Sequence, residues 1–470
     1  MCIPAICAQN EFYPRKFKIQ ILMKSLTVFA GIVIFMLFSF TSCDLLDVDD
    51  PMEPDEEILE RLPYTQYLVA FWSGTDQGRF PLQWMQQLSG IRGMHLQVDR
   101  YNMSAEFMDP IWNLYYHYIN DNIFLTAELA QKVDSRAYRG ITRILNAYSL
   151  GMMTDAWGDV PYKTYPRYED QQILIFSILE LVQQGIEDIK AAGNGAGMKP
   201  GPAEDLIYGG DLDRWERAAN LIRLRYLLRS ANFSGNYNTL LPYIESYNLM
   251  QGNQDNMVFE FPGGDRVNPH YHFDINTNNT RAGKFLVELM KETGDPRLPK
   301  YFRTSSHEYI GSEPGQALLT ASNIANSFRQ ELAPIVLLSY AEQKFIEAEV
   351  YYRTGNHPAA DLAYEEGVRA SLLQYDAIDE EWEAEHASIQ DVSLEQIITA
   401  KYVALFLSPE VWSDYRRTGY PRINPYNHEQ DAEAEIPRRF LYPSDEVFFN
   451  YDNVPADVDI FTRIWWDAAQ

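Results

Sequence analysis

The sequence predicts a mainly α-helical single domain, with degenerate tetratricopeptide-type helix pairs on one side and long irregular loops on the other. Three observations predict it. From about Glu60 onward, apolar residues recur three and four apart over helix lengths. Ala348, Tyr351, Gly355, Ala360, Tyr364 and Gly367 carry the spacing of a tetratricopeptide helix pair, with small residues where helices touch and a turn at Thr354-Gly355-Asn356. Between Gln251 and Gln330, and from Phe71 to Tyr101, the helical period gives way to Gly, Asn, Pro and aromatic residues. Loops that long usually carry function.

At the N-terminus, Lys24 precedes the apolar run Leu26 to Phe40, which ends in Thr41-Ser42-Cys43. Basic, apolar, then small residues form the layout of a secretory signal over residues 1–42. The alternative is an uncleaved anchor, because about 18 apolar residues just span a bilayer. Small residues directly before a lone Cys favour cleavage and resemble a bacterial lipobox, in which Cys43 is acylated and becomes the new N-terminus. Two or three acyl chains anchor stably where one does not. Residues 1–22 fit no part of this layout, which makes Met23 a candidate true start. Residues 43–59, opening CDLLDVDDPMEPDEE, are acidic and Pro-containing and read as a lipidated flexible tether. Acidic residues behind an acylated Cys also resemble the signal that sends Bacteroidota lipoproteins to the cell surface. The cysteines are Cys2, Cys7 and Cys43, so no disulfide holds residues 60–470 together.

Residues 60–470 form the expected domain: 46% of the chain is hydrophobic, and no Pro/Ser-rich linker divides it. Periodicity predicts helices over Ile111–Val133, Ser135–Thr154, Gln172–Ala192, Arg214–Ala231, Ala333–Arg353, Pro358–Tyr375 and Leu394–Leu407, with a shorter one over Ala282–Lys291. In Ala333–Arg353 the stripe Leu337, Ala341, Phe345, Ala348, Tyr352 buries one face. The acidic stretch Asp376–Glu395 reads as a solvated loop, lacking the alternating ligands and Gly of a calcium site.

Six segments recur in a recognisable order. AYSLGMMTDAWGDVPY (Ala147–Tyr162) is a helix stopped by Gly158 and Pro161, and DLIYGGDLDRWERAANLIRLRYLLR (Asp205–Arg229) is a Gly-Asp turn into a Trp-containing helix. DPRLPKYF, AEQKFIEAEVYYRTGN, EVWSDYRRTGYP and RRFLYPSDEVFFN follow. Together they resemble the SusD/RagB family of outer-membrane nutrient-binding lipoproteins of Bacteroidota. The resemblance implies a SusD-like fold. It also implies a cell-surface, lipid-anchored protein that captures oligosaccharide and delivers it to a SusC-like TonB-dependent transporter, acting as its lid. Some family members look like peptide binders, so that alternative stays open. The recurring motifs read as scaffold: Trp157, Trp215 and Trp412 as core plugs, Arg416 and Arg417 as partners of carbonyls or acids.

No G-x-S-x-G elbow, P-loop, H-E-x-x-H or Cys-x-x-Cys occurs, and neither a catalytic residue, a cofactor nor a metal is expected. His270 and His272 would point the same way on an extended segment, but a third ligand is not in view. With 66 Asp and Glu, carboxylate pairs for glycoside hydrolysis occur anywhere, so abundance carries no weight for that alternative function. A scaffold that only assembles other proteins is the remaining alternative. Net charge is −27 and no basic patch interleaves with aromatics, which excludes nucleic acid as a partner. Sugar rings stack their C–H faces on aromatics while their hydroxyls need polar partners. Two irregular regions have that composition. One holds Trp72, Trp84 and Tyr101; the other holds Tyr271, Phe273 and Tyr309.

Overall fold

A computed structural model describes residues 53–195, 197–427 and 434–467. The leader, Cys43 and the tether as far as Met52 lie outside the described residues. The architecture is mainly helical, as the periodicity requires, and it begins earlier than expected. Helix α1 (Pro54–Ser73) places Pro54 in its first turn, where a missing N–H costs little, and Asp55, Glu56 and Glu57 against the positive end of the helix dipole. Residues 54–59 are therefore helix rather than tether.

The segment Phe71–Tyr101, expected to be irregular, holds the end of α1, α2 (Asp76–Trp84), strand β1 (Leu88–Gly90) and α3 (Gly93–Asp99). Pro63 inside α1 and Pro81 inside α2 mask their helical character in the sequence. Helix α4 (Asp109–Leu114) continues through a π-helical turn, Tyr115–Asn120, into α5 (Asp121–Lys132), covering the predicted helix Ile111–Val133. Ser135 caps α6 (Arg136–Trp157) by accepting from the Tyr138 N–H at 3.3 Å. That helix stops at Gly158, whose φ of 78° disfavours any side chain. The ribbon β2 (Val160–Pro161) with β3 (Tyr168–Glu169) leads into α7 (Gln171–Gly193), and Asp211 caps α8 (Leu212–Ser234).

All of α6 except Arg136, Arg139 and Arg143 is buried, between α5 and α7. Glycines let α6 and α7 approach: a Cβ on Gly140 would lie 2.9 Å from the Gly185 carbonyl oxygen and 2.7 Å from Ile189 Cγ1. Next come α9 (Leu241–Ser246), β4 (Met257–Phe259), α10 (Pro269–Asn276), β5 (Thr280–Ala282), α11 (Lys284–Glu292) and α12 (Leu298–Tyr301). Strand β6 (Ile335–Leu338) pairs antiparallel with β4 and occupies the start of the predicted helix Ala333–Arg353. Pro334 and the run Ile-Val-Leu-Leu favour a strand there, and helix resumes only after Ser339 caps α13 (Tyr340–Arg353).

The tetratricopeptide-type spacing lands on α13 and α14 (His357–Gln374), where Gly367 lies so close to Phe345 that a Cβ would sit 3.1 Å from its ring. With α16 (Leu394–Ala404) these helices enclose a second hydrophobic cluster around Phe345, Ala348, Ala360 and Ile397. Within the expected acidic loop, Asp379 caps a short helix, α15 (Glu380–His386), through the Trp382 N–H at 3.0 Å. Helices α17 (Glu410–Thr418) and α18 (Ser444–Phe449) complete the described chain.

Buried ion pairs tie these layers together. Arg225 donates to both oxygens of Glu342 at 2.8 and 2.7 Å, Arg229 to Asp155 at 2.9 and 2.7 Å and to Glu410 at 2.7 Å. Arg417 donates to Glu349 at 2.8 and 2.7 Å, and Arg416 to the carbonyls of Asp155 and Arg438 at 2.7 and 2.9 Å. Both arginines of the Arg-Arg motif are thus scaffold, as are the motif tryptophans. Trp157, Trp215 and Trp412 are buried, donating to Leu441 O, Asp205 Oδ2 and Pro437 O at 2.8, 2.8 and 2.7 Å. Among the described residues no helix is long and apolar enough to cross a membrane.

Candidate ligand-binding site

The two regions singled out by composition meet in space. Strand β1 pairs antiparallel with β5, setting Leu88 opposite Ala282 and Gly90 opposite Thr280. Backbone bonds extend this ribbon on both sides: Ile91 N donates to Asn279 O at 2.8 Å, Ala282 N to Ser322 O at 2.8 Å, and Arg303 N to Asn323 O at 2.9 Å. Helix α10 lies on the turn between α1 and α2, where a Cβ on Gly74 would come within 2.6 Å of Pro269 and Ile335. Asn268 fixes the start of α10 by accepting from the His270 and Tyr271 N–H groups at 2.7 and 3.1 Å.

Between α2, α10 and the ribbon lies a small surface cleft with a cavity volume of about 20 Å³. It is lined by Arg79, Leu88, His270, Phe273, Asp274, Asn278, Thr280, Arg281, Asn323, Ile324 and Arg329. The Arg79 guanidinium lies 3.9 Å over the Phe273 ring, pairs with Asp76 and donates to Gly74 O at 2.9 Å. Arg329 pairs with Asp274. Arg281 donates to Asn278 Oδ1 at 2.9 Å and to the carbonyls of Asn278 and Thr280 at 3.2 and 2.7 Å.

Burial governs the titration of these groups. It pushes Arg79 down despite the neighbouring Asp76, and pushes Arg281 down with the help of Arg329 and Arg92. Burial lowers His270 to about 3 and His95 to about 4, so both imidazoles are neutral at physiological pH. Beneath the ribbon, burial raises Asp99 to about 7, although Gly90 N and Ser89 Oγ donate to it at 3.0 and 3.1 Å.

Of the six aromatic residues expected to hold ligand, only Phe273 lines the cleft. Trp72 and Trp84 are corrected outright as platforms, because neither has any exposed surface. Trp72 donates to Ile111 O at 3.2 Å beside Tyr115; Trp84 donates to Val98 O at 3.3 Å and packs on Trp412 and Phe440. Tyr101 is half-buried at a φ of 58°, its hydroxyl oxygen accepting from Tyr426 N at 3.0 Å. Tyr271 is half-buried about 200° round α10 from Phe273, away from the cleft wall. Tyr309 is half-buried against the core. His270 and His272 likewise diverge, since residues 269–276 are helical rather than extended. No group of three or more His, Cys, Asp or Glu among the described residues is placed to hold a metal. The sequence reading missed the arginines, for no local pattern links positions 79, 281 and 329.

A separate concentration of exposed apolar surface, Val447, Phe448, Phe449 and Tyr451, lies beside Tyr165, whose hydroxyl donates to Glu446 at 3.3 Å. Val447, Phe448 and Phe449 belong to the RRFLYPSDEVFFN segment that reads as scaffold, and Tyr451 directly follows it.

No curated protein sequence matches the chain. Solved structures match over nearly the whole described domain. A chitin-binding protein shares 23% identity at a TM-score of 0.77, covering 87% of this chain and 100% of its own. A chitin-binding SusD homologue from Flavobacterium johnsoniae shares 21% at 0.76, over 88% and 99%. A SusD homologue from Bacteroides uniformis ATCC 8492 shares 21% at 0.76, over 87% and 99%. At these identities the matches establish the fold. The family profile described as SusD-like, starch-binding and associating with the outer membrane matches residues 64–443, and on that match the chain belongs to the SusD-like family.

Proposed function

We propose that this protein is a non-enzymatic, surface-exposed lipoprotein that binds oligosaccharide in the cleft between α2, α10 and the β1–β5 ribbon and passes it to a TonB-dependent outer-membrane transporter. The observation that carries the reading is the cleft itself. Phe273 offers an apolar ring, and Asn278, Thr280, Asn323 and the arginines surround it with amide, hydroxyl and guanidinium groups, the combination a sugar needs. Family membership supports the ligand class and the outer-membrane association. Asp274, which lines the cleft, and Asp76 behind Arg79 are each paired with an arginine, which suits binding rather than general acid–base work. The Thr41-Ser42-Cys43 junction supports anchoring through an acylated Cys43, and the apolar surface at Val447 to Tyr451 suits a protein partner. A site held beside a transporter mouth works by effective concentration, so even a weak binding constant suffices.

A glycan array run beside a peptide panel tests the ligand class, followed by calorimetry with Phe273→Ala. Loss of the ring is expected to weaken glycan binding by about 1–3 kcal/mol. Binding to peptides alone, or unchanged glycan affinity in Phe273→Ala, overturns the assignment.

A further inference from the structure

The cleft is cationic in a strongly acidic chain. Net charge is −27, and several buried arginines meet carboxylates: Arg225 meets Glu342, Arg229 meets Asp155, Arg297 meets Asp295, and Arg417 meets Glu349. Buried Arg223, Arg416 and Arg439 instead meet amide, hydroxyl or carbonyl oxygens, enclosed in the core, whereas Arg281 is half-buried and lines the cleft. Among the described residues it forms no salt bridge, and its hydrogen bonds go to Asn278 and Thr280, which are neutral acceptors. Its charged surroundings are mostly of like sign, since Arg329, Arg92 and Arg303 all disfavour its charge and Asp274 alone favours it. Arg92 and Arg303 are exposed and likewise form no salt bridge among the described residues. Two further guanidinium atoms, Arg79 Nε and Arg329 Nε, are buried without a hydrogen-bond partner. Gathering like charges costs free energy, which the Arg79–Asp76 and Arg329–Asp274 pairs offset only in part. An anion in the cleft would recover it, because guanidinium pairs with planar oxyanions through two parallel N–H bonds.

Resting on the reading of this cleft as a glycan site, the geometry points to an acidic oligosaccharide as its ligand, one bearing carboxylate or sulfate groups that Arg281 receives while a sugar ring lies against Phe273. Neutral glycans would fill the apolar part of the site and leave the guanidinium groups facing water.

The test uses calorimetry on the mature protein with three kinds of probe: uronate-containing oligosaccharides, the same oligosaccharides with carboxyls reduced to alcohols, and sulfated oligosaccharides. The acidic form is expected to bind at least tenfold more tightly than its reduced counterpart, with a preference that shrinks as salt rises. Comparing uronate with sulfate tells which oxyanion the site takes. In Arg281→Gln the ratio of acidic to neutral affinity should fall toward one, and Arg281→Lys should restore part of it. Circular dichroism and the thermal midpoint check that both variants fold. Equal affinity for charged and reduced forms, or a ratio unmoved by Arg281→Gln, overturns the inference while leaving the glycan reading intact. Binding of acidic peptides but of no glycan overturns the glycan reading and the inference together, as does silence from every probe.

Discussion

Trp84→Ala separates stability from binding, because the structure puts this residue in the core although composition points to a sugar platform. The indole has no exposed surface; it lies 5.0 Å from the Trp412 ring and 5.5 Å from Phe440 between centroids, and donates to Val98 O at 3.3 Å. A buried tryptophan removes about 200 Å² from water, worth about 5 kcal/mol at ~25 cal/mol per Å². Alanine keeps a small part of that, leaves a cavity that its aromatic neighbours only partly close, and orphans the Val98 carbonyl. A net loss of about 3–5 kcal/mol follows. Against a total stability of about 5–15 kcal/mol this is a large fraction, so the urea midpoint should fall steeply. Trp84→Phe keeps most of the apolar contact and should lose less than half as much. At low temperature, where the variant is still folded, glycan affinity should match the parent, whereas Phe273→Ala, which removes a half-buried ring from Arg79 and His95, should lose less stability than Trp84→Ala and weaken binding. A Trp84→Ala protein that loses affinity with less than about 1 kcal/mol of destabilisation would refute the placement of Trp84.

Glu349→Ala leaves Arg417 buried without its bidentate partner and should cost about 3–5 kcal/mol in chemical denaturation. The double variant Glu349→Met with Arg417→Met should lose less than the two single losses combined, and strict additivity would deny the coupling. Stability should depend on pH in two opposed windows. Burial raises Asp99 to about 7, so its contribution is full below the ordinary carboxylate range and is lost as pH rises through 7; Asp99→Asn should flatten the thermal midpoint between about pH 4 and 7. Although burial alone would raise it, Arg417 and Arg353 hold Glu349 down at about 2, so its contribution is present above the ordinary range and is lost as pH falls toward 2. Glu349→Gln should soften that acid limb in the same scans. Cys43→Ala should release the protein from the membrane fraction or stall its processing. Mass spectrometry showing a mature chain that still carries Leu26–Phe40 would defeat the lipoprotein reading.

The long helices were legible because each must bury one face, and that requirement writes a period into the sequence. It runs clearly through Ser135–Thr154, where all but three arginines of α6 are buried, and through the α13–α14 pair. The period fails where short apolar runs suit two structures. Ile335–Leu338 reads as the opening of a helix until β4, distant in sequence, supplies a strand partner. It fails again in α1 and α2, where prolines interrupt helices that tertiary packing holds together. Aromatic composition found the right neighbourhood, since Phe273 lines the cleft, but it could not tell a core indole from a platform. Trp72 and Trp84 sit at helix ends beside Gly74 and Met85, and a helix end is compatible with either fate until the opposing layer is known.

The same residue type does two kinds of work here, and burial separates them. Arg225, Arg229 and Arg417 are scaffold, and in each case the chain places a carboxylate within 2.7 Å. A buried pair of this kind adds little net stability, but removing either member is costly, so it fixes which helices meet. The chain has 66 acidic side chains, yet it also encloses Arg416 on carbonyl oxygens alone at its guanidinium Nη1. Asp76 is committed to Arg79 and Asp274 to Arg329, and Arg281 is left with neutral acceptors. Buried Arg223, Arg416 and Arg439 also meet only neutral acceptors, but they are enclosed by the core, whereas half-buried Arg281 faces the cleft, where an anionic group from outside the chain can reach it.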